Sequence, residues 1–357
     1  MLWFVGTGID GYRGLSVAAL DVLRKCTAVY IERFTSAVSE GDIKGLNSLL
    51  EVNIQPVQRW FVEDGRDIIE AARTKNVALV TYGDPLIATT HCELRSRAAR
   101  NSVKTAVLHS ASGIASTIGE CGLHVYKFGR MVTMMSELHS AITVYNTVFQ
   151  NLLTGNHTVI LTEYSYNDES KEPFFLNPSS VFNMLLDAER THKHQIFSDD
   201  TFAVVASRVG MQDQKIISGK VGSVRQLEFG IGPHSVIITG ALHFTEIQAL
   251  TSLTENIDEP TDNSQSVNRI EAQMVQRYAP KAKQAVREMR KILSDGTDSN
   301  KGISETLENA ECYIADAEGF LRQGKLELAV LSIGYAEGLI DAIRYQKGIN
   351  PWNTPAS

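Results

Sequence analysis

Four short strand-like segments near the N-terminus constrain the fold more than any other feature of the chain. They are rich in β-branched, aromatic and aliphatic residues and lie at residues 2–5, 28–31, 77–81 and 105–108. Helical patterns separate them, for example at residues 15–25 and 67–73. Apolar strands connected by helices are typical of a parallel sheet that is covered on both faces. The sequence therefore predicts an α/β domain at residues 1–108.

Similar strand-like segments continue beyond this domain, with longer insertions between them. They lie at residues 132–135, 158–162, 202–206 and 235–239. This pattern predicts a second α/β domain at residues 109–254. Residues 255–268 are polar, contain one proline and lack an apolar period. Such a composition predicts a linker.

Residues 269–350 show three helical patterns, which predict a three-helix bundle. The apolar positions of the first helix are Ile270, Met274, Tyr278, Met289 and Ile292. Those of the second are Leu307, Ala310, Ile314, Ala317 and Leu321. Those of the third are Leu328, Leu331, Tyr335, Leu339 and Ile343. Gly348 follows the third helix, where glycine favours a left-handed C-cap.

The first helix of the predicted bundle is basic and the second is acidic. Lysine and arginine recur in the first from Arg269 to Lys291, whereas the second carries five carboxylates between Glu305 and Glu318. Complementary charges on neighbouring helices account for this pattern. The alternative is a basic face that contacts a ribosomal or RNA-bearing partner, and the sequence leaves both open.

Composition excludes several classes of protein. The net charge of −7 argues against a dominant role in nucleic-acid binding, which usually requires a basic face. The four cysteines are far apart and form no CxxC pair, so neither a zinc ribbon nor a disulfide framework is predicted. The N-terminus does not resemble a signal peptide, and no apolar run is long enough to span a bilayer. We therefore expect a soluble, cytoplasmic protein.

The loop after the first strand matches the dinucleotide-binding pattern GxGxxG at residues 6–11. Glu32, at the end of the second strand, lies where a ribose-binding acid would occur. In the dinucleotide-binding unit, however, the helix begins at once, whereas here the helical pattern starts only at Leu15. The match is therefore weak evidence. It indicates only that Gly6 and Gly8 let the backbone approach a ligand closely.

The segment YGDPLIATTH, at residues 82–91, leaves the carboxyl end of a predicted buried strand. Gly83 frees the backbone, Asp84 suits a helix N-cap, and Pro85 suits the first helical position. The pattern predicts a small-residue helix that continues through residues 86–90.

Four segments together resemble one family. They are GTGI at residues 6–9, YGDPLIATTH at 82–91, GLHVYKFG at 122–129 and GPH at 232–234. In this order and combination they resemble archaeal diphthine synthases, which belong to the tetrapyrrole methylase superfamily. The resemblance covers about residues 1–250. The tail is similar to a small archaeal helical domain of uncharacterised function.

This resemblance implies a fold and a reaction. The fold has two α/β domains of the tetrapyrrole methylase type with a cofactor cleft between them, followed here by the three-helix bundle. The cofactor is S-adenosylmethionine, and the substrate is translation elongation factor 2. The family methylates the amino group of a 3-amino-3-carboxypropyl chain on one histidine, and archaeal members add three methyl groups. Direct displacement at a sulfonium needs no metal, and superfamily members are commonly homodimers.

The resemblance also implies a set of cofactor-binding residues, but it identifies no catalytic residue. The set comprises Ile9, Asp84, Ile87, Ser112, Gly113, Ile114, Thr162, Val209 and His234. Asp84 is expected to hold the ammonium of the methionine moiety and Ile87 to pack against the ligand. His234 has an alternative role, in which it only satisfies backbone groups near the start of a strand.

Two further groups of residues have functional and structural interpretations. The rings of Tyr82, Tyr126 and Phe128 would attract a methylated ammonium, although a core role is the simpler interpretation. Residues 192–194, with Asp199 and Asp200, offer metal-ligand types, but an exposed polar loop explains them better.

Two other functions remain as alternatives. A precorrin methyltransferase would share the fold, but residues 6–10 depart from the Gly-x-Gly-Pro-Gly pattern usual in those enzymes. A protein whose charged tail docks on the ribosome or on the elongation factor is the other alternative.

Overall fold

The computed structural model describes residues 1–35, 37–167, 172–266, 270–293 and 301–352. The chain divides into two compact units, Met1–Val267 and Asn268–Ser357. None of the described helices combines the length and the apolar character needed to cross a bilayer.

The first unit begins with a five-stranded sheet in which all strands are parallel. Its strands are β1 (Leu2–Gly6), β2 (Ala28–Glu32), β3 (Ile54–Val57), β4 (Val77–Thr81) and β5 (Thr105–Leu108), in the order β3-β2-β4-β1-β5. Its helices are α1 (Val17–Leu23), α2 (Glu40–Leu50), α3 (Arg59–Asp64), α4 (Arg66–Thr74) and α5 (His91–Arg100). Separate apolar clusters pack on its two faces, as the unbroken apolar strands predict.

A six-stranded mixed sheet forms the rest of this unit. Its strands are β6 (Val132–Met134), β7 (Thr158–Thr162), β10 (Phe202–Ser207), β11 (Lys215–Lys220), β12 (His234–Ile238) and β13 (Glu255–Asn256). The order is β13-β11-β10-β12-β7-β6, and β12 is antiparallel to both β7 and β10. The carboxyl ends of β7 and β10 therefore lie beside the amino end of β12.

Further elements surround this second sheet. The helices are α6 (Gly113–Glu120), α7 (Leu138–Leu153), α8 (Pro178–His192), α9 (Val221–Val224) and α10 (Phe244–Leu253). Strands β8 (Tyr164–Asn167) and β9 (Glu172–Phe175) form a separate antiparallel pair. Short 3₁₀ helices lie at Gly11–Gly14, Val125–Lys127 and Asn263–Ser266. The two sheets with their helices confirm the α/β class.

The segment predicted as a linker belongs structurally to the first unit up to residue 266. Strand β13 pairs with β11. The buried amide of Asn263 donates to the carbonyls of Phe202 and Thr239, and its oxygen accepts from the backbone N–H of Phe202. Polar composition predicted a linker here, but these hydrogen bonds satisfy the amide within the fold.

The second unit contains the three predicted helices, α11 (Ile270–Leu293), α12 (Lys301–Arg322) and α13 (Leu326–Lys347). On α12 the predicted face is correct, because Leu307, Ala310, Ile314 and Ala317 are buried. On α11 Met289 is buried and Tyr278 packs partly against the core, but Met274 and Ile292 are exposed, and Ile270 lies among the side chains that are not described. Alanines and valines, chiefly Val275, Ala279, Ala282 and Val286, form the buried face of α11 instead.

The predicted face of α13 is wrong for three of its five positions. Leu328, Leu331 and Tyr335 are 44%, 55% and 56% exposed, whereas Ile343 is buried as predicted. Leu339 packs partly against the core. The buried face is formed mainly by Leu326, Ala329, Ile333, Ala336 and Ile340. This helix is apolar on both faces, so its periodicity does not identify the buried one. Gly348 adopts the expected left-handed C-cap conformation.

The opposite charges of α11 and α12 meet within the unit. Lys283 Nζ lies 2.6 Å from Glu318 Oε1, and Arg290 Nη2 lies 2.9 Å from Glu311 Oε2. Complementarity between packed neighbours, the simpler interpretation of the charge pattern, therefore explains these four residues.

Candidate functional site

All nine residues predicted to bind the cofactor line one cavity of the first unit. The cavity encloses about 890 Å³, including the part open to solvent. Its walls come from the loops after β1, β4 and β5 and from the adjoining ends of β7, β10 and β12. The nine residues are Ile9, Asp84, Ile87, Ser112, Gly113, Ile114, Thr162, Val209 and His234. For Ile9, Asp84, Ile87 and residues 112–114 this convergence follows from the topology, because they lie beyond β1, β4 and β5, which are parallel and end at the same edge of the first sheet.

Two glycines hold the loops after β1 and β4 together. The backbone N–H of Gly8 donates to the carbonyl of Gly83 at 3.2 Å, and the N–H of Gly83 donates back at 2.9 Å. A Cβ on Gly6 would lie 2.4 Å from the carbonyl oxygen of Gly83. Gly6 therefore permits the close approach of the two loops, and the predicted approach of the backbone to a ligand stays a prediction.

Asp84 fixes a third loop to this pair. Its carboxylate is buried and accepts hydrogen bonds from the backbone N–H of Leu86 at 3.0 Å, His109 Nδ1 at 2.8 Å and the backbone N–H of Ser110 at 3.2 Å. Asp84 thus connects the β4 loop to the β5 loop while lining the cavity. It has an established structural role here, and its contact with a ligand stays a prediction.

The helix predicted at residues 86–90 does not form. Residues 85–90 make turns and bends, Ala88 has a φ of 56°, and α5 begins only at His91. Asp84 caps a single turn, at Leu86, rather than a helix. His91 then closes the segment, because its buried ring donates from Nδ1 to the carbonyl of Pro85 at 3.0 Å. The hydrogen bond from the Leu86 N–H to the Asp84 carboxylate stabilises a turn here, in place of the helix that the small residues would allow.

Helix α6 presents its N-terminus to the cavity. Ser112 occupies the N-cap position without a side-chain hydrogen bond to the helix, and Gly113 is the first helical residue. A Cβ built on Gly113 would meet no atom within 4 Å. The amino end of a helix attracts anionic groups because its backbone N–H groups lack intrahelical partners.

One wall of the cavity is apolar. Ile9 and Ile114 both pack against the buried cluster of the second sheet that includes Val209. Ile9 also covers Gly210, where an added Cβ would lie 2.4 Å from the Ile9 side chain. This wall suits a flat, weakly polar group that is bound by shape.

His234 is held in a neutral form in the cavity wall at the start of β12. The ring is 5% exposed, and its Nδ1 lies 2.8 Å from Ser207 Oγ. Burial lowers the pKa of His234 to about 4. Thr162 donates from Oγ1 to the carbonyl of His234 at 2.9 Å, which ties β7 to β12. The alternative role of His234, satisfying groups near a strand start, is therefore present beside its place in the cavity wall.

Of the three aromatic residues considered for cation binding, only Tyr82 lines the cavity. Its hydroxyl donates to the carbonyl of Ile9 at 2.6 Å, and burial raises the pKa of Tyr82. Tyr126 is 95% exposed and lies outside the cavity lining. Phe128 packs edge-on against His157, at 5.1 Å between ring centroids. The suggested role is therefore wrong for Tyr126 and Phe128 in this cavity.

The segment GLHVYKFG instead joins a buried polar network. Glu246 on α10 is fully buried and contacts Lys127 Nζ, His157 Nε2 at 3.0 Å and the backbone N–H groups of His124 and His243. Burial alone raises the pKa of Glu246, but the hydrogen bonds from Lys127, His124, His243 and His157 outweigh it and lower the pKa to about 2. Glu246 therefore remains a carboxylate and holds this part of the fold together.

The described residues contain no group of three or more His, Cys, Asp or Glu side chains placed to hold a metal ion. His192 and His194 stack on Tyr145, with ring centroids 5.6 and 5.8 Å away, while Asp199 and Asp200 are exposed. The exposed-loop interpretation agrees with this arrangement for the two aspartates, and the histidines are half-buried.

Sequence reasoning missed several residues of the cavity wall. They include Thr35, Ala37, Thr117, Leu161, Tyr164 and Ser235. Thr35 and Ala37 follow β2. They could have been predicted from the rule that ligands bind beyond the carboxyl ends of parallel strands. Glu32, the suggested ribose acid, instead accepts from the backbone N–H groups of Phe34 and Thr35 at 2.9 and 3.0 Å. The dinucleotide interpretation has no support in this geometry.

Comparisons with known proteins agree with this architecture. A family model described as "Tetrapyrrole (Corrin/Porphyrin) Methylases" matches residues 1–225, and one described as "Protein of unknown function (DUF357)" matches residues 277–349. A diphthine synthase from Methanocaldococcus jannaschii is 32% identical over 72% of this chain and 100% of its own length. A diphthine methyl ester synthase from Dictyostelium discoideum is 30% identical over 69% of this chain and 95% of its own length.

Solved structures show the same relationship. The first unit is similar to a crystal structure of diphthine synthase, with a TM-score of 0.64 and 26% identity, over 74% of this chain and 99% of the other. Because the matched relatives are covered almost completely, the likeness extends over whole proteins rather than over a shared fragment. The chain therefore belongs to the tetrapyrrole methylase family and, within it, to the diphthine synthases.

Proposed function

We propose that the chain transfers methyl groups from S-adenosylmethionine to the amine of a 3-amino-3-carboxypropyl-modified histidine in translation elongation factor 2. One observation carries this proposal beyond family membership. The nine residues that the family resemblance assigns to the cofactor come from six separate segments of the sequence, yet all of them line one cavity.

The groups around the cavity fit the parts of this cofactor. Ile9, Ile114 and Val209 offer an apolar wall for the adenosyl group. The uncapped N-terminus of α6 suits the methionine carboxylate, and Asp84 suits the ammonium. When bound, the cofactor would supply an electrophilic methyl group on its sulfonium. The residues of the chain would fix its position and exclude water from the cleft.

Selection of a neutral amine removes the need for a dedicated base. An α-amine has a pKa near 8, so roughly one-tenth of it is neutral at pH 7. Two cavity-lining side chains that could act as a base already make hydrogen bonds within the fold. Asp84 accepts from three donors, and His234 contacts Ser207. We therefore expect the rate at low substrate concentration to rise with pH up to about the pKa of the substrate amine.

Intact mass spectrometry tests the reaction. The full chain is incubated with S-adenosylmethionine and elongation factor 2 that carries the aminocarboxypropyl histidine. The proposal expects up to three added methyl groups, and none on a factor that lacks this modification. An unchanged mass of the modified factor would contradict the proposal. Transfer to a precorrin under the same conditions would favour the alternative enzyme.

The remaining expectations concern location and assembly. A cytoplasmic homodimer that uses no metal is consistent with the family, and each of these points stays a prediction. Docking of the helical unit on RNA or the ribosome also stays a prediction, although two cations of α11 are engaged by α12. Deletion from residue 268 tests docking, because residues up to 266 pack within the first unit. Unchanged methylation with lost association would identify the helical unit as a docking module.

A further inference from the structure

A second cavity adjoins the cofactor cavity within the first unit. It encloses about 1360 Å³, including the part open to solvent. Ala37 and Tyr164 line both cavities, so they mark the boundary where the two meet. The loops after β1 and β2, the β8–β9 pair and the segment after β10 form its walls. Among the described residues, the two cavities share no other lining residue.

Arg33 is the buried cation of this second cavity. The residue is 8% exposed and follows directly on β2. Its Nη1 lies 2.8 Å from Glu40 Oε1, and its guanidinium carbon lies 3.7 Å above the ring centre of Tyr166. One nitrogen and one face of the guanidinium are therefore held in place before any ligand arrives.

Two hydrogen-bond donors at this point have no partner among the residues that the structure describes. They are the Nε–H of Arg33 and the hydroxyl of Tyr166, and both atoms are buried. A buried donor without an acceptor lowers the stability of the folded protein, and most such donors in folded proteins are paired. Two unpaired donors from neighbouring side chains indicate a ligand that supplies acceptors, and a carboxylate supplies two oxygens in the plane that a guanidinium favours.

The other arginines of the cavity are less suitable. Arg208 is committed, since its Nε lies 2.7 Å from Asp213 and its Nη1 donates to the carbonyl of Gly232 at 3.1 Å. Arg13 is exposed to solvent, which weakens any ion pair that it forms. Arg33 therefore combines charge, burial and an unpaired donor in one side chain.

We infer that the second cavity receives the modified histidine and that Arg33 binds the carboxylate of its aminocarboxypropyl chain. The inference rests on the proposed function, which supplies that substrate. The amine and the carboxylate share one carbon atom, so a carboxylate held at Arg33 keeps the amine within a few bonds of it. Methyl transfer then requires the amine to point toward Ala37 and Tyr164, which line both cavities. Arg33 acts as a substrate-positioning residue.

Kinetics of Arg33→Gln with the modified elongation factor test this role. Loss of a charge-assisted hydrogen bond predicts an increase in KM on the order of 10- to 100-fold. Arg33→Lys keeps the charge without the planar donors, so its KM should lie between those of the wild type and Arg33→Gln. The affinity for S-adenosylmethionine, measured by calorimetry, should stay the same in both variants.

Glu40→Gln is the matched control. It removes the ion pair of Arg33 but leaves the guanidinium, so a carboxylate-binding role predicts an unchanged or lower KM. A purely structural role of the ion pair predicts that Glu40→Gln and Arg33→Gln raise KM alike, and that result would overturn the inference. An unchanged KM in Arg33→Gln would also overturn it. A wild-type protein that fails to methylate the modified factor would instead refute the proposed function.

Discussion

Two segments carry most of the family resemblance, and they have different tasks in the structure. Residues 82–91 shape the cavity proposed for the cofactor through Gly83, Asp84 and Ile87. Residues 122–129 contribute Lys127 and the backbone of His124 to the buried network around Glu246, and no residue of that segment lines the cavity. A family signature therefore does not distinguish ligand contact from structural support. Only the position of its side chains makes that distinction.

The network around Glu246 should give the largest effect on stability. Glu246→Gln removes the charge opposite Lys127 and weakens the acceptor for His157. Because Glu246 is fully buried while the Lys127 side chain is 27% exposed, the loss in the free energy of unfolding should approach the roughly 3–5 kcal/mol that breaking a buried ion pair costs. Urea denaturation at pH 7 measures it. The affinity of the folded protein for S-adenosylmethionine should not change. A weakened affinity would show that the network around Glu246 also supports cofactor binding.

The cleft histidine should make stability depend on pH. Burial lowers the pKa of His234 from 6.5 to about 4, so the unfolded chain binds the proton more readily than the folded chain between these values. The stability that comes from burying the neutral His234 ring is fully present above pH 6.5 and is lost as the pH falls toward 4. The shift corresponds to a loss on the order of 3 kcal/mol.

Unfolding free energies at several pH values, for the wild type and for His234→Asn, isolate this effect. The difference between the two proteins should change between pH 6.5 and 4. A constant difference over that interval would show that His234 does not titrate with the lowered pKa.

Asp84→Asn should have a smaller effect on stability and a clear effect on binding. Asparagine keeps one acceptor for Leu86 but replaces the oxygen that accepts from His109 and Ser110. We expect a loss of about 1–2 kcal/mol in the free energy of unfolding and a cofactor Kd that rises roughly tenfold. Calorimetry and urea denaturation give the two values. A changed stability with an unchanged Kd would assign Asp84 to structural support, like Glu246.

Ser207→Ala should have the smallest effect. The substitution removes the hydroxyl beside His234 Nδ1 and leaves the buried ring without that partner. One lost hydrogen bond predicts about 1 kcal/mol in the free energy of unfolding. The cofactor Kd should rise only slightly, because Ser207 does not line the cavity. A large loss of affinity would show that the orientation of the His234 ring matters more than the geometry indicates.

The nine residues that the family resemblance assigned to the cofactor line one cavity, and their contact with a cofactor stays a prediction. Ile9, Asp84 and Ser112 each follow a strand that the apolar pattern identifies, and parallel topology brings such positions together. The prediction of a helix after Asp84 was wrong. Small residues are compatible with a helix and with a turn, and the hydrogen bond from Leu86 to the Asp84 side chain stabilises the turn.

Other features depend on contacts between distant segments, which no local pattern reveals. Glu246 meets Lys127 across more than one hundred residues, and Asn263 is buried by the same kind of long-range contact. On α13, apolar residues such as Leu328 and Ile333 occur on opposite faces, so only packing decides which face is buried.

Binding of S-adenosylmethionine to a pair of glycine variants in α6 tests the central claim most directly. Gly113 lines the cavity and Gly119 does not, yet an added Cβ meets no atom within 4 Å at either position. Leucine should therefore be accommodated at both sites, but only Gly113→Leu should project into the cleft. We expect calorimetry to detect binding to the wild type and to Gly119→Leu, and the affinity of Gly113→Leu to fall at least about 100-fold. Equal affinity in all three proteins would place the cofactor outside this cavity.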